Sequence, residues 1–312
     1  MKESKKFDNY MVLANHFLDQ NRYSSAIEAF EKSLEFTPSK DEKIDILFEI
    51  ADLLTYLGNY EDAEKYFLEI QELDPEIPGV YYGLAIVNDF KKGSLEKSKK
   101  YYKKAIELDP EYDRAHYYLA HVYWDLGEED KAEKEFKICI NLHEDDFISF
   151  NDLGALYESQ GRYMESQEVV EKALSIAPDY WRALFNMGVV LKAFGKHKEA
   201  LEYYRKTIEI NPKPNVYLNM SAIYIEEKDF EKALHILKEG LKLFPGTVNL
   251  HYNAACSLVH LQRKDEAWEE ITKAIKKNIE VRNWAYKDPD LKDLMEEYEG
   301  GKNGHNKNTS RN

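Results

Sequence analysis

Small residues recur along the chain at a nearly fixed interval. Ala26, Ala63, Ser98, Ala132, Ser166, Ala200, Ala233 and Ala267 follow one another at steps of 37, 35, 34, 34, 34, 33 and 34. Four positions after each comes a larger apolar side chain: Phe30, Phe67, Tyr102, Phe136, Val170, Tyr204, Leu237 and Ile271. Upstream of each small residue lies a Leu, Met or Ile followed by a Gly, Ala or Ser, with a large side chain three places on. Leu153-Gly154 with Tyr157, Met187-Gly188 with Leu191 and Leu119-Ala120 with Tyr123 are the clearest cases. Apolar positions three and four apart mark one face of a helix. Each period therefore predicts two antiparallel helices of about three to four turns. The small residue of the second helix lets its backbone approach the first closely, and the larger residue fills the space beside it.

Punctuation fits the same period. Pro38, Pro75, Pro110, Pro178, Pro212 and Pro245 close helical segments, with Glu144 where one proline is missing. They are expected to start the next helix, where a missing N–H is harmless. Gly58, Gly127, Gly161 and Gly195 fall at the turn between paired helices, where a positive φ ends the first. The repeats run 7–40, 44–77, 78–112, 113–146, 147–180, 181–213, 214–247 and 248–281. An insertion at Asp41 to Lys43 precedes the second, and one extra residue near Lys92-Gly93-Ser94 falls in the turn of the third. Both belong in connections.

A period of about 34 residues with this small–large pattern resembles the tetratricopeptide repeat. The resemblance spans residues 7–281 and implies an all-α fold, a right-handed α–α superhelix of eight helix-turn-helix repeats. It also implies a protein-interaction module. A solenoid needs a cap, because its last helix has no outer neighbour. After Trp284 and Tyr286, Asp288-Pro289-Asp290-Leu291 reads as a turn and helix start, and Leu291, Leu294, Met295 and Tyr298 form a short apolar stripe. Residues 282–299 are thus expected to be a capping helix, similar to the closing segment of bacterial repeat arrays. Residues 300–312 lack periodicity and are expected to be disordered.

Charge narrows the partners. The chain carries 58 acidic and 43 basic residues, a net charge of -15. Phosphate neutralisation needs the opposite balance. The expectation is a protein or peptide ligand, with no nucleic acid and no membrane; the oligomeric state stays open. No segment approaches the roughly 20 apolar residues of a membrane span, and the polar N-terminus holds no secretory signal. Two cysteines, Cys139 and Cys256, form neither a disulfide framework nor a metal spacing. A reducing cytoplasm is the expected location. Cys139 sits at a small-residue position and belongs to the core. His116 and His121, five apart on one helix, point in different directions. No phosphate loop or zinc motif occurs, so no catalytic site, cofactor or metal is expected.

The candidate site is therefore a surface. In this family the first helix of each repeat lines the concave groove, with positions 2, 5, 6, 9, 12 and 13 on one side. Position 6 reads Val12, Glu49, Gly83, Tyr118, Asp152, Asn186, Asn219 and Asn253. Three successive asparagines after an aspartate are unexpected on helix propensity. An amide donates and accepts, so it can satisfy an extended backbone. The arrangement resembles the asparagine ladder in the repeats of O-linked N-acetylglucosamine transferase and kinesin light chain, which implies a grip on a peptide main chain. The other reading is an amide that bonds a neighbouring helix end or water. Elsewhere the N-terminal half is acidic and aromatic, with Asp45, Phe48, Asp52, Tyr56, Tyr82, Asp89, Tyr117 and Trp124. The C-terminal half is polar and mildly basic, with Arg182, Phe185, Lys192, Asn215, Tyr252 and His260. Candidate groove residues are Asn186, Asn219, Asn253, Asp152, Arg182, Lys192, Tyr252, Tyr117 and Trp124. Two rivals remain: a non-catalytic scaffolding subunit using the convex surface, and a co-chaperone. The co-chaperone clamp needs Lys at position 5 of the first repeat, where Met11 stands, although Asn15 does occupy position 9.

Overall fold

A computed structural model describes residues 2–305. Among these residues all regular structure is helical, in eighteen helices. The chain forms two compact units, Met1–Leu156 and Tyr157–Asn312. Unit 1 contains α1 (Lys2–Asp19), α2 (Tyr23–Leu34), α3 (Lys40–Tyr56), α4 (Tyr60–Leu73), α5 (Pro78–Phe90), α6 (Leu95–Leu108), α7 (Asp113–Asp125), α8 (Glu129–Leu142) and the start of α9 (Phe147–Ser159). Unit 2 takes the end of α9, then α10 (Tyr163–Ile176), α11 (Trp181–Ala193), α12 (His197–Ile210), α13 (Pro214–Glu226), α14 (Phe230–Leu243), α15 (Val248–His260), α16 (Lys264–Lys277), α17 (Val281–Lys287) and α18 (Lys292–His305). Both are stacks of helical hairpins, the all-α solenoid that the period predicts.

The small-residue register packs as its spacing requires. Ala26, Ala63, Ser98, Ala132, Ser166, Ala200, Ala233 and Ala267 are all buried to 0% exposure. The large register fills the remaining space: Phe30, Phe67, Tyr102, Phe136 and Tyr204 are among the largest wholly buried side chains. In unit 2 the close approach is tightest at Gly188 of α11. A Cβ there would lie 2.5 Å from the Tyr204 ring of α12.

Every hairpin turn uses one left-handed residue. Gly58, Gly127, Gly161 and Gly195 have φ of 78°, 72°, 73° and 72°. Asn21, Lys92, Lys228 and Gln262 take the same place in the other four repeats, with φ of 53° to 59°. The residue after each donates its N–H back across the turn, as Asn59 does to the Leu54 carbonyl at 2.8 Å and Asp229 to that of Tyr224 at 2.8 Å. These bonds satisfy carbonyls left open at the helix end.

Several boundaries differ from the sequence reading. Asp41 to Lys43 lie inside α3 and lengthen it. Ser39 caps that helix, accepting the Glu42 N–H at 3.2 Å and donating its hydroxyl to the Glu42 carboxylate at 2.7 Å. This N-cap fixes the helix start at Lys40, so the insertion is helical. The recurrent prolines do not begin helices. Pro75 and Pro110 follow the C-caps Asp74 and Asp109, and the next helices begin at Pro78 and Asp113. The prolines at helix starts are instead Pro78 and Pro214. The cap comprises two helices, α17 and α18, which bury Val281, Ala285, Leu291, Leu294 and Met295 on the last hairpin. The final helix runs on to His305, past Gly300 where the polar tail was expected to begin; residues 306–312 of that tail lie outside the described residues.

Candidate functional site

In unit 1 the first helices of successive hairpins, α3, α5 and α7, present an aromatic face interrupted by carboxylates. Three clefts open along it. One of about 640 Å³ lies between α3 and α5, with Phe48, Asp52, Tyr56, Tyr82 and Phe90 in its wall. A second, of about 690 Å³, lies between α5 and α7, with Ile86, Asp89, Phe90, Tyr117, Tyr118, His121 and Asp125. A third, of about 390 Å³, is lined by Tyr82, Asp113, Arg114, Tyr117, Tyr118, Asp146 and Ile148. The tyrosines support one another. Tyr82 packs against Tyr102, Tyr112 and Tyr118 with ring centroids 6.2, 5.4 and 6.0 Å apart. Such edge and offset contacts make a rigid apolar wall.

The carboxylates of this face differ in availability. Asp152 is buried and saturated: it accepts the Tyr117 hydroxyl at 2.7 Å, the Asn151 amide at 2.8 Å and His121 Nε2 at 3.1 Å. Burial pushes its carboxyl up, but the hydrogen bonds from His121 and Tyr117 outweigh it and hold the group below its ordinary value. Asp89 accepts the Tyr102 hydroxyl at 2.7 Å and that of Ser98. Asp52 is exposed on α3 and has no cation within ion-pair distance among the described residues; crowding by the surrounding side chains, then the charge of Glu49, raises its carboxyl above the ordinary range. Asp125 is exposed at the end of α7.

The sequence-predicted residues divide accordingly. Tyr117 lines two of the clefts. Trp124 lies one turn beyond His121, with ring centroids 6.3 Å apart, and packs on Phe136 at 6.5 Å. Asp152 is a buttress beneath this face. In unit 2, Asn186, Asn219 and Asn253 are half-buried on α11, α13 and α15. The Asn219 amide donates to the Asn215 carbonyl of its own helix at 2.9 Å. Arg182 is exposed with its guanidinium 5.4 Å from the Trp181 ring. Lys192 pairs with Glu226 at 2.9 Å. The Tyr252 hydroxyl donates to Asp288 at 2.5 Å.

Sequence reasoning passed over one recurring device. His116 of α7 is buried with Nδ1 2.6 Å from Glu135 of α8 and Nε2 3.0 Å from the Pro110 carbonyl. His251 repeats this with Glu270 at 2.6 Å and the Pro245 carbonyl at 3.1 Å. In both repeats a proline stands six residues before the histidine and a glutamate nineteen after, a spacing legible in the sequence. In the third repeat the Tyr81 hydroxyl reaches the Pro75 carbonyl in the same way, at 2.9 Å. Each contact ties the loop between hairpins to the helix that follows.

Among the described residues no group of three or more His, Cys, Asp or Glu is placed to hold a metal ion, and no helix is long and apolar enough to cross a membrane. Burial raises the Cys139 thiol to about 12, and burial with the charges of Asp288 and Asp290 raises Cys256 well above its ordinary value, which disfavours the thiolate at both.

Tetratricopeptide repeat models match residues 7–40, 44–77, 113–146 and 214–247 and the longer stretch 145–213, and a TPR repeat model matches 89–127. The chain belongs to the tetratricopeptide repeat family. It is a family of protein-interaction scaffolds, typically without catalysis of their own. No curated protein matches the chain in sequence. Among solved structures it is similar to a chain of the APC/C hetero-tetramer Cut9-Hcn1, with a TM-score of 0.62 at 16% identity over 92% of this chain and 55% of that one. It thus spans little more than half of that neighbour. It is also similar to pilF of Pseudomonas aeruginosa, with a TM-score of 0.56 at 21% identity over 68% of this chain and 97% of that one. Both share the helical-repeat fold. A third similarity is to YrrB, described as a TPR protein with an unusual peptide-binding site, at TM-score 0.46 and 22% identity over 60% of this chain and 98% of that one.

Proposed function

We propose that the chain is an adaptor that holds an extended segment of a partner protein along the α3, α5 and α7 face of unit 1. What carries this reading is the run of three clefts with tyrosine walls, in which Asp52, then Asp89 and Asp125, then Asp113 and Asp146 stand beside a single cation, Arg114 or Lys92. Rigid aromatic side chains give contact area at small entropic loss. Unpaired Asp52 and exposed Asp125 favour cationic side chains at intervals along such a segment. The ligand is therefore a segment that alternates Lys or Arg with apolar or aromatic residues.

The asparagines of unit 2 offer a second grip, with less support at Asn219, whose amide already bonds its own helix. The experiment is selection from a library of unstructured peptides on the immobilised protein, followed by titration. Enrichment in Lys and Arg, and a loss of about fivefold or more in affinity for Asp52→Asn/Asp125→Asn at low salt, support the reading. Full affinity in that double variant, with loss in Asn186→Ala/Asn219→Ala/Asn253→Ala, would move the site to unit 2.

A further inference from the structure

The chain carries a net charge of -15, yet one short stretch is strongly basic. Lys91, Lys92, Lys97, Lys99, Lys100, Lys103 and Lys104 fall within fourteen residues that contain a single carboxylate, Glu96. Most of this stretch is α6, the second helix of its hairpin, so its exposed side lies away from the α5–α7 clefts. There a concavity of about 980 Å³ is lined by Lys99, Lys100, Lys103 and Lys104 against two carboxylates, Glu96 and Glu107, with Tyr81 and Tyr101 in its wall. It is larger than any of the three clefts of the α3, α5 and α7 face.

The lysines are not equivalent. Lys91 and Lys97 share Glu64 at 2.7 and 3.1 Å. Lys99 is held between Glu96 at 2.8 Å and Glu128 at 3.0 Å, and Lys104 pairs with Glu107 at 3.0 Å. Lys100 and Lys103 are exposed, one helical turn apart, and have no carboxylate within ion-pair distance among the described residues. The internal pairs fix the rim, and the two free ammonium groups leave the concavity with net positive charge.

We infer that this face of α6 docks a carboxylate-rich segment of a partner protein, separately from the clefts on the first helices. The residue type decides between anions. The stretch contains no arginine, and arginine supplies the planar fork that reads a phosphoryl group bidentately. Mobile lysine ammoniums on long stems suit several dispersed carboxylates. Nucleic acid, a dense polyanion, would in addition meet the repulsion of the whole acidic chain.

The test uses the full chain and a fluorescently labelled oligoglutamate peptide, read by anisotropy. Binding is expected at low salt and should weaken as salt rises. Lys100→Gln/Lys103→Gln should lower affinity about fivefold, the loss of two exposed ion pairs. Lys276→Gln/Lys277→Gln makes the same change in net charge on α16 and should leave affinity unchanged. Equal loss in both double variants would overturn the inference, since net charge alone would then explain binding. So would absence of binding to the wild-type chain, or tighter binding of inorganic polyphosphate at matched charge. Because both lysines are exposed and unpaired, the variant keeps its fold, which circular dichroism checks.

Discussion

Gly188→Ala tests the packing that underlies every repeat. The added Cβ would lie 2.5, 2.7 and 3.0 Å from Cε1, Cδ1 and Cζ of Tyr204. Carbon atoms rest at about 3.5–4.0 Å, so the nearest contact is short by about 1 Å. Tyr204 is 0% exposed and cannot swing into solvent. Overpacking of this kind costs about 1–3 kcal/mol. Alanine returns about 1 kcal/mol of helix propensity over glycine, which leaves a net loss of about 0–2 kcal/mol. Urea melts followed by circular dichroism would show a lower midpoint at an unchanged slope. Tyr204→Leu removes the ring that the new methyl meets, so Gly188→Ala/Tyr204→Leu should be less destabilised than the sum of its parts by about 1 kcal/mol. Tyr204→Phe separates shape from polarity. The Tyr204 hydroxyl is buried with no hydrogen-bond partner among the described residues, so its loss should leave stability equal or higher. A Gly188→Ala variant more stable than the parent would refute the close approach.

Three further outcomes follow from particular contacts. Lys228→Gly and Gln262→Gly should each stabilise by about 0.5–1 kcal/mol in the same melts, because relief of a left-handed non-glycine residue exceeds the entropy that glycine loses. Both ring nitrogens of His116 face acceptors, a geometry that only the imidazolium satisfies. Burial lowers its pKa, but the bonds to Glu135 and the Pro110 carbonyl raise it further, for a net rise. Its contribution is therefore complete below the unfolded value of about 6.5 and lost as pH rises through the folded value. His116→Gln should flatten stability over that range, measured by melts at a series of pH values. A chain ending before Val281 should melt lower than one ending at Gly300, because it uncovers the surface that Leu291, Leu294 and Met295 bury.

The repeats were legible because two constraints recur in step. A small residue must sit where two helices touch, and a large one must fill the gap beside it. That pairing identified Ala200 with Tyr204 and Ala63 with Phe67 without any structure. Helix ends were less legible, since local chemistry sets them. The Ser39 N-cap with Glu42 three residues on was present in the sequence, yet the repeat length suggested a loop there. The left-handed turn was read from four glycines, while Asn21, Lys92, Lys228 and Gln262 take the same backbone shape without a compositional signal. Gly93 illustrates a different limit: a Cβ there would collide with the Asn88 side chain, which bonds Ser98 at 2.7 Å across the third hairpin. Nothing in the spacing announces that contact.

The asparagine register shows why a position index does not by itself make a binding site. Position 6 gives the direction of a side chain; its neighbours decide whether its polar atoms are free. Asp152 faces the direction that the register implies, but Tyr117, thirty-five residues earlier, has already taken its carboxylate. Tyr252 reaches Asp288 in the same sense, thirty-six residues on, and Tyr66 reaches back to Glu31 at 2.7 Å. Tyrosine–carboxylate bonds between neighbouring repeats thus use up part of the polar inventory of a face. What remains for a ligand is the excess on either side of that pairing. In unit 1, Asp52 and Asp125 of the α3, α5 and α7 face have no ion-pair partner among the described residues. In unit 2 Lys192 and Tyr252 are committed to Glu226 and Asp288, and Asn219 to its own helix. The imbalance between partnered and unpartnered groups, more than residue type at a fixed position, is the ground for proposing the aromatic clefts as the place where a partner segment would lie.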